Sequence, residues 1–252
     1  MSKDAERRSK AQNARERAQA AAKRERLIRF VGGGLVAAVV VGIIAIGYFG
    51  SRPADSPNNE GKVPAGVSEN LAWVINPDTT ASASMVIWED FQCPGCGAFE
   101  SIYNDAVQQL AKDNVVKVEY RPTAFLDDRF PGEHSARGIS AWGCAIEYGI
   151  GDSFHNTLFK AQPQVEGVGW SDDDLHAIGM SAGLDKDVRD EFNNCVNDKR
   201  YIKWADDSTQ MFQDEAIPGT PNITVNGTEI TDEVLKGGPE KFIEWVKATA
   251  AA

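Results

Sequence analysis

The sequence predicts an α/β domain carrying an inserted helical domain and preceded by a single N-terminal transmembrane helix. Three observations predict it. The run from Phe30 to Ser51 holds no charged residue and is long enough to cross a hydrocarbon layer as a helix. Beyond it a strand, a cysteine turn, a helix and a second strand follow in the order of a βαβ unit, whose two strands run parallel. Between that unit and a last strand pair, residues from about 131 to 213 show helical spacing and no strand signal.

Taken in order, residues 1–29 hold ten Lys+Arg against four Asp+Glu. Arg29 and Arg52 bracket the apolar run FVGGGLVAAVVVGIIAIGYFG. A basic flank on the N-terminal side places residues 1–29 in the cytoplasm as a basic tail, residues 30–50 in the membrane as an anchor, and the rest outside the cell. Both the charged region and the apolar core are longer than in a cleaved leader, and Ala45-Ile46-Gly47 is the nearest approach to a cleavage site, so the anchor is read as uncleaved. Residues 51–69, SRPADSPNNEGKVPAGVSE, mix Pro, Asn, Gly and Ser without periodicity and read as a flexible linker. The domain therefore spans 70–252. Of 26 Lys+Arg and 37 Asp+Glu in the chain, 16 and 33 fall in residues 30–252, a net charge of −17 that repels phosphate backbones and argues against nucleic-acid binding.

Within the domain, strands are expected at Ala72 to Ile75, Met85 to Glu89, Val115 to Tyr120 and Ile223 to Val225. Asn226-Gly227 favours a tight hairpin, so Thr228 to Ile230 should return antiparallel. Ala98, Ile102, Ala106 and Leu110 recur at helical spacing, giving a helix that begins at the cysteine motif. In the helical stretch, Asp152-Ser153, Ser171 and Asp185 are expected N-caps, and a terminal helix runs from Pro239 through Trp245.

The chemistry concentrates in WEDFQCPGCGAFE, where Pro94 and Gly95 separate Cys93 from Cys96. Three readings compete. A zinc site needs four ligands, and His134, His155 and His176 lie far apart in the helical stretch, where they are expected at the surface or at helix caps, so no metal is expected. A purely structural bridge is weakly motivated: closing so short a loop stabilises by about 2 kcal/mol, against about 4 kcal/mol for the loop that Cys144 and Cys195 would close. The redox reading has a positive argument. At the start of a helix the Cys93 sulfur meets unsatisfied N–H groups and the positive end of the dipole, both of which favour thiolate, and Cys96 one turn inward can resolve a mixed disulfide. Pro94 suits the first helical turn, where its missing N–H is not needed. Far along the chain, Thr220-Pro221 precedes a short apolar strand, a place where a proline can mark a cis bond.

WEDFQCPGC, the VVKVEYRP strand, the helical stretch and GTPNITVNG together resemble the DsbA-like branch of the thioredoxin superfamily, in particular the membrane-tethered extracytoplasmic members of Gram-positive bacteria. The resemblance covers about residues 71 to 248. It implies a thioredoxin-like fold with the helical region inserted, Cys93 as nucleophile, Cys96 as resolving thiol, and Thr220-Pro221 as the active-site loop that binds extended substrate. It implies also a function: a disulfide oxidase for unfolded exported proteins, reoxidised by a membrane partner of the DsbB or VKOR type, with no dissociable cofactor. Many relatives carry an acid six residues before the first cysteine, suited to proton transfer. Ile87 stands there in this chain, and Glu89, two residues later on the same strand face, is the candidate substitute. Gly95 replaces the histidine of the best-known oxidant. Cys144 and Cys195 are read as a structural disulfide joining two inserted helices, as similar second bridges do in some actinobacterial relatives; a second redox pair is the alternative. For the whole protein, a reductase or isomerase on the same fold and a non-catalytic anchored binding module with two structural bridges are the competing functions.

Overall fold

The computed structural model describes residues 63–252. The expected basic tail, the membrane anchor and the linker up to residue 62 lie outside the described residues, among which no helix is long and apolar enough to cross a membrane.

The elements follow the predicted order. Strands β1 (Trp73–Val74), β2 (Ser84–Glu89) and β3 (Lys117–Pro122) flank helix α1 (Pro94–Lys112). Five helices come next: α2 (His134–Glu147), α3 (Gly151–Lys160), α4 (Asp172–Ser181), α5 (Arg189–Asn197) and α6 (Ile202–Asp214). The chain closes with β4 (Asn222–Val225), β5 (Thr228–Glu229), α7 (Asp232–Lys236) and α8 (Gly238–Ala250). The sheet order is β1-β3-β2-β4-β5. β2 and β3 pair in parallel, as the crossover through α1 demands, and the other neighbours are antiparallel.

Period-two alternation sends Ile87 and Glu89 of β2 to one face and Trp88 to the other. Trp88 meets Phe212 of α6 edge to face, its ring also covered by the Arg121 guanidinium. On α1, Phe99 and Tyr103 stack and meet Phe242 of α8. α2 is buried along most of its length, and Gly143 lets it approach the next layer: a Cβ there would sit 2.6 Å from the Tyr201 side chain. Truncating an aromatic at this depth costs about 3–5 kcal/mol, so these rings fix where the helices sit.

Several expectations shift on contact with the structure. β3 starts at Lys117 because Asn114 and Val115 are spent closing α1, with their N–H groups on Ala111 and Leu110 carbonyls and Asn114 at φ 53°. Order begins before Asn70, since Val67 bridges to Trp73. Ser171 caps α4 with a capping box, and Asp185 caps a single 3₁₀ turn. Asp152 does not cap α3: the helix has already begun at Gly151, and Asp152 accepts from the Trp73 indole at 2.6 Å instead.

Candidate active site

The strand β2 and the helix α1 place the cysteines. Cys93 is the N-cap of α1, with Pro94 at the first position, so the turn from sheet to helix holds the sulfur over the helix start. Pro94 and Gly95 are exposed, while Cys93 is 8% exposed and Cys96 fully buried. Both are present as thiols. Asp90 sets the turn's shape, accepting from the Gln92 and Leu126 amides and the Ser135 hydroxyl. Gln162, just past α3, donates to the carbonyls of Phe91 and Cys93 at 2.8 and 2.9 Å.

The Thr220-Pro221 bond is cis, and this loop faces the motif. The Cys93 thiol donates to the Thr220 carbonyl at 3.3 Å. A Cβ on Gly95 would lie 3.3 Å from the Pro221 ring and 3.6 Å from the Cys93 sulfur, so glycine keeps the thiol and the proline face open to a partner chain. Thr220 Oγ1 is buried beside this thiol.

The two thiols have opposite electrostatics. The Cys93 pKa is lowered to about 6 by hydrogen bonding from the Cys96 thiol, against the opposing effect of burial, with Thr220 and the Cys96 and Gly95 amides adding to the lowering. Burial pushes the Cys96 thiol well above its usual range, and its bond to Cys93 pushes it further. At neutral pH Cys93 is a thiolate and Cys96 keeps its proton.

Below them lies a polar group of which Glu89 alone stood out in the sequence. Glu89 is buried, raised to about 7 chiefly by burial, and its charge acts on Cys96. His155 of α3 bonds Glu89 directly and is 3% exposed; it belongs to the core, not to the surface or a cap as its sequence position suggested. Burial works to lower the His155 pKa, but the charge and hydrogen bond of Glu89, with Glu100 and Asn156 adding to them, together take it up to about 9. Glu100 of α1 and Tyr120 of β3 complete the group. Glu89, Glu100 and His155 each bring a metal-ligating atom within 4.8 Å of the others. The carboxylate and the imidazole bond each other directly, as an acid–base pair does.

Cys144 of α2 and Cys195 of α5 form a disulfide with Cα atoms 5.9 Å apart. Both are fully buried, in the helical layer and in a different part of the chain from the Cys93 turn.

The fold and a paired-thiol turn opposite a cis-proline define a class. The thioredoxin family profile matches residues 76–247, and the chain belongs to that family, in its DsbA-like branch of thiol–disulfide oxidoreductases. Solved structures agree. MdbA of Actinomyces oris, a thiol–disulfide oxidoreductase, is similar in fold with a TM-score of 0.65 at 23% identity, covering 75% of this chain and 93% of its own. DsbA of Mycobacterium tuberculosis, in its oxidised form, has a TM-score of 0.56 at 25% identity, covering 74% and 91%. The reduced disulfide bond oxidoreductase DsbG of the same organism has a TM-score of 0.52 at 26% identity, covering 68% and 85%. No curated protein matches the chain.

Proposed function

We propose that the protein is an oxidase that donates its Cys93–Cys96 disulfide to unfolded exported proteins outside the cell membrane, tethered through residues 30–50. The observation that supports this best is the asymmetry of the pair, a stabilised thiolate at Cys93 above a buried thiol at Cys96. A stabilised Cys93 thiolate favours the reduced enzyme, and so makes the oxidised enzyme a stronger donor.

In the first step a substrate thiolate attacks the Cys93 sulfur, the Cys93–Cys96 bond breaks, and Cys96 departs as a thiolate that takes up a proton. A second substrate thiolate then attacks the substrate sulfur of the mixed disulfide, and Cys93 leaves as a thiolate. The substrate is oxidised by two electrons and the enzyme reduced by two. Thr220 and Pro221 offer an edge beside Cys93 for an extended substrate segment, and Glu89, whose charge acts on the Cys96 thiol, exchanges the Cys96 proton. The Cys144–Cys195 bridge holds α2 to α5. Return to the disulfide form calls for an electron acceptor, for which a membrane reoxidase of the DsbB or VKOR type is the partner proposed.

The test is refolding of a reduced, unfolded multi-cysteine protein by the oxidised enzyme. One substrate disulfide should form per enzyme disulfide consumed, and Cys93→Ser should abolish the transfer. Consumption of the enzyme disulfide without any substrate disulfide contradicts the reading.

A further inference from the structure

Reduction of the disulfide leaves Cys96 with a proton that the oxidised enzyme does not hold, and reoxidation must remove it. Cys96 is fully buried, so this proton cannot be exchanged with water at the sulfur. Glu89 is buried as well, at 1% exposure. A bound substrate covering Pro221 and Cys93 would seal the site from that side further still.

The structure offers another way out. The His155 ring bonds Glu89 through Nε2, and its other nitrogen, Nδ1, faces Asn156 Oδ1 at 3.4 Å. Asn156 Oδ1 also accepts from Asn104 Nδ2 at 2.8 Å, and the same Asn104 amide donates to Glu100 Oε2 at 2.7 Å. Asn104 and Asn156 are half-buried, and they meet where α1 and α3 pack together, so one side of the buried imidazole faces these amides while the other touches the buried carboxylate. An imidazole can take a proton at one nitrogen and release it at the other.

We propose that His155 is a two-sided proton relay, carrying the proton that Cys96 gains and loses between Glu89 and solvent at the α1–α3 seam. His155 acts through Glu89 and is a positioning residue, not a group that touches the sulfurs. Asn156 and Asn104 hold its outer nitrogen at the seam. The titratable groups facing the pair are Glu100 from α1, Tyr120 from β3 and the two cysteines. Tyr120 keeps its proton throughout, since burial first and then the Glu100 and Glu89 charges hold it well above its usual range. With an uncharged residue in place of His155, burial and the Glu100 and Cys93 charges all favour the protonated form of Glu89, whose carboxyl then keeps its proton and cannot take that of Cys96.

The relay rests on the reading of Cys93 and Cys96 as an exchanging pair, and one reaction separates the two claims. The reduced full-length chain is mixed with dithiobis-nitrobenzoate, which releases one coloured thiolate when Cys93 attacks it and a second when Cys96, having lost its proton, attacks the mixed disulfide. His155→Gln should leave the first release within about twofold of native and slow the second by about a hundredfold or more, the lower end of what positioned acid–base groups contribute. Its rate should also lack the pH dependence expected of the native protein between about 7 and about 9. Asn156→Leu, at a half-buried site, should slow the second release by a smaller factor with the first unchanged. A second release within about twofold of native in both variants overturns the relay. So does a slowing in His155→Gln that is equal at every pH, because that is what simple loss of packing gives. An absent first release in the native protein sinks the functional reading instead.

Discussion

At Cys93 the decisive quantity is where the thiol titrates. A value near 6 in place of 9 leaves the reduced enzyme stabilised at pH 7 by about 1.4 kcal/mol, or about 30 mV in a two-electron couple. The sign follows from the lowered pKa: this contribution is complete above about 9 and is lost as pH falls through about 6, and the disulfide form has no thiol to titrate. The reduced protein should therefore gain stability over the oxidised one as pH rises across that window, measured as the difference between their denaturation midpoints. Alkylation of Cys93 should reach half its limiting rate near pH 6. Thr220→Val removes a side chain that lowers Cys93, and should move that midpoint upward; an unmoved midpoint would assign the stabilisation to Cys96 and the backbone amides alone.

At the scale of elements, the sequence makes the strand–turn–helix around the cysteines plain, because local signals coincide there: an apolar strand, Pro at the first helical position and regular spacing after it. Thr220-Pro221 could be singled out for the same reason. Glu89 follows from the family resemblance, which implies an acid on this face of β2, together with strand alternation; its partner does not. His155 lies 66 residues away on a helix that reads as amphipathic, and nothing local distinguishes a histidine turned inward onto a carboxylate from one at the surface. Gln162 and Glu100 were hidden likewise, since their roles depend on how helices dock after the chain has crossed the sheet. The α2–α5 disulfide closes a loop with a sequence separation of 51, which chain entropy values at about 4 kcal/mol. Replacing Cys144 and Cys195 together with Ser should lower denaturant stability by roughly that amount while Cys93 still alkylates at its native rate. Loss of Cys93 reactivity in that variant would instead tie the second pair to the redox chemistry.

For the whole molecule, the thioredoxin fold settles the class of chemistry and leaves its direction to the poise of one couple. Across this fold the nucleophilic cysteine titrates at about 7 in thioredoxin and about 3.5 in DsbA, with potentials of about −270 and about −120 mV, and the Cys93 value of about 6 lies between them. Gly95 contributes no cation between the cysteines, so the thiolate here depends on Cys96, Thr220 and the helix start. The measurement that bears most directly on the oxidase reading is the reduction potential of the Cys93–Cys96 couple in the full chain, equilibrated in glutathione buffers with the Cys144–Cys195 bridge intact. A disulfide donor requires a value at or above about −180 mV, which is the result expected, and a value near about −270 mV would contradict it and make the protein a reductase.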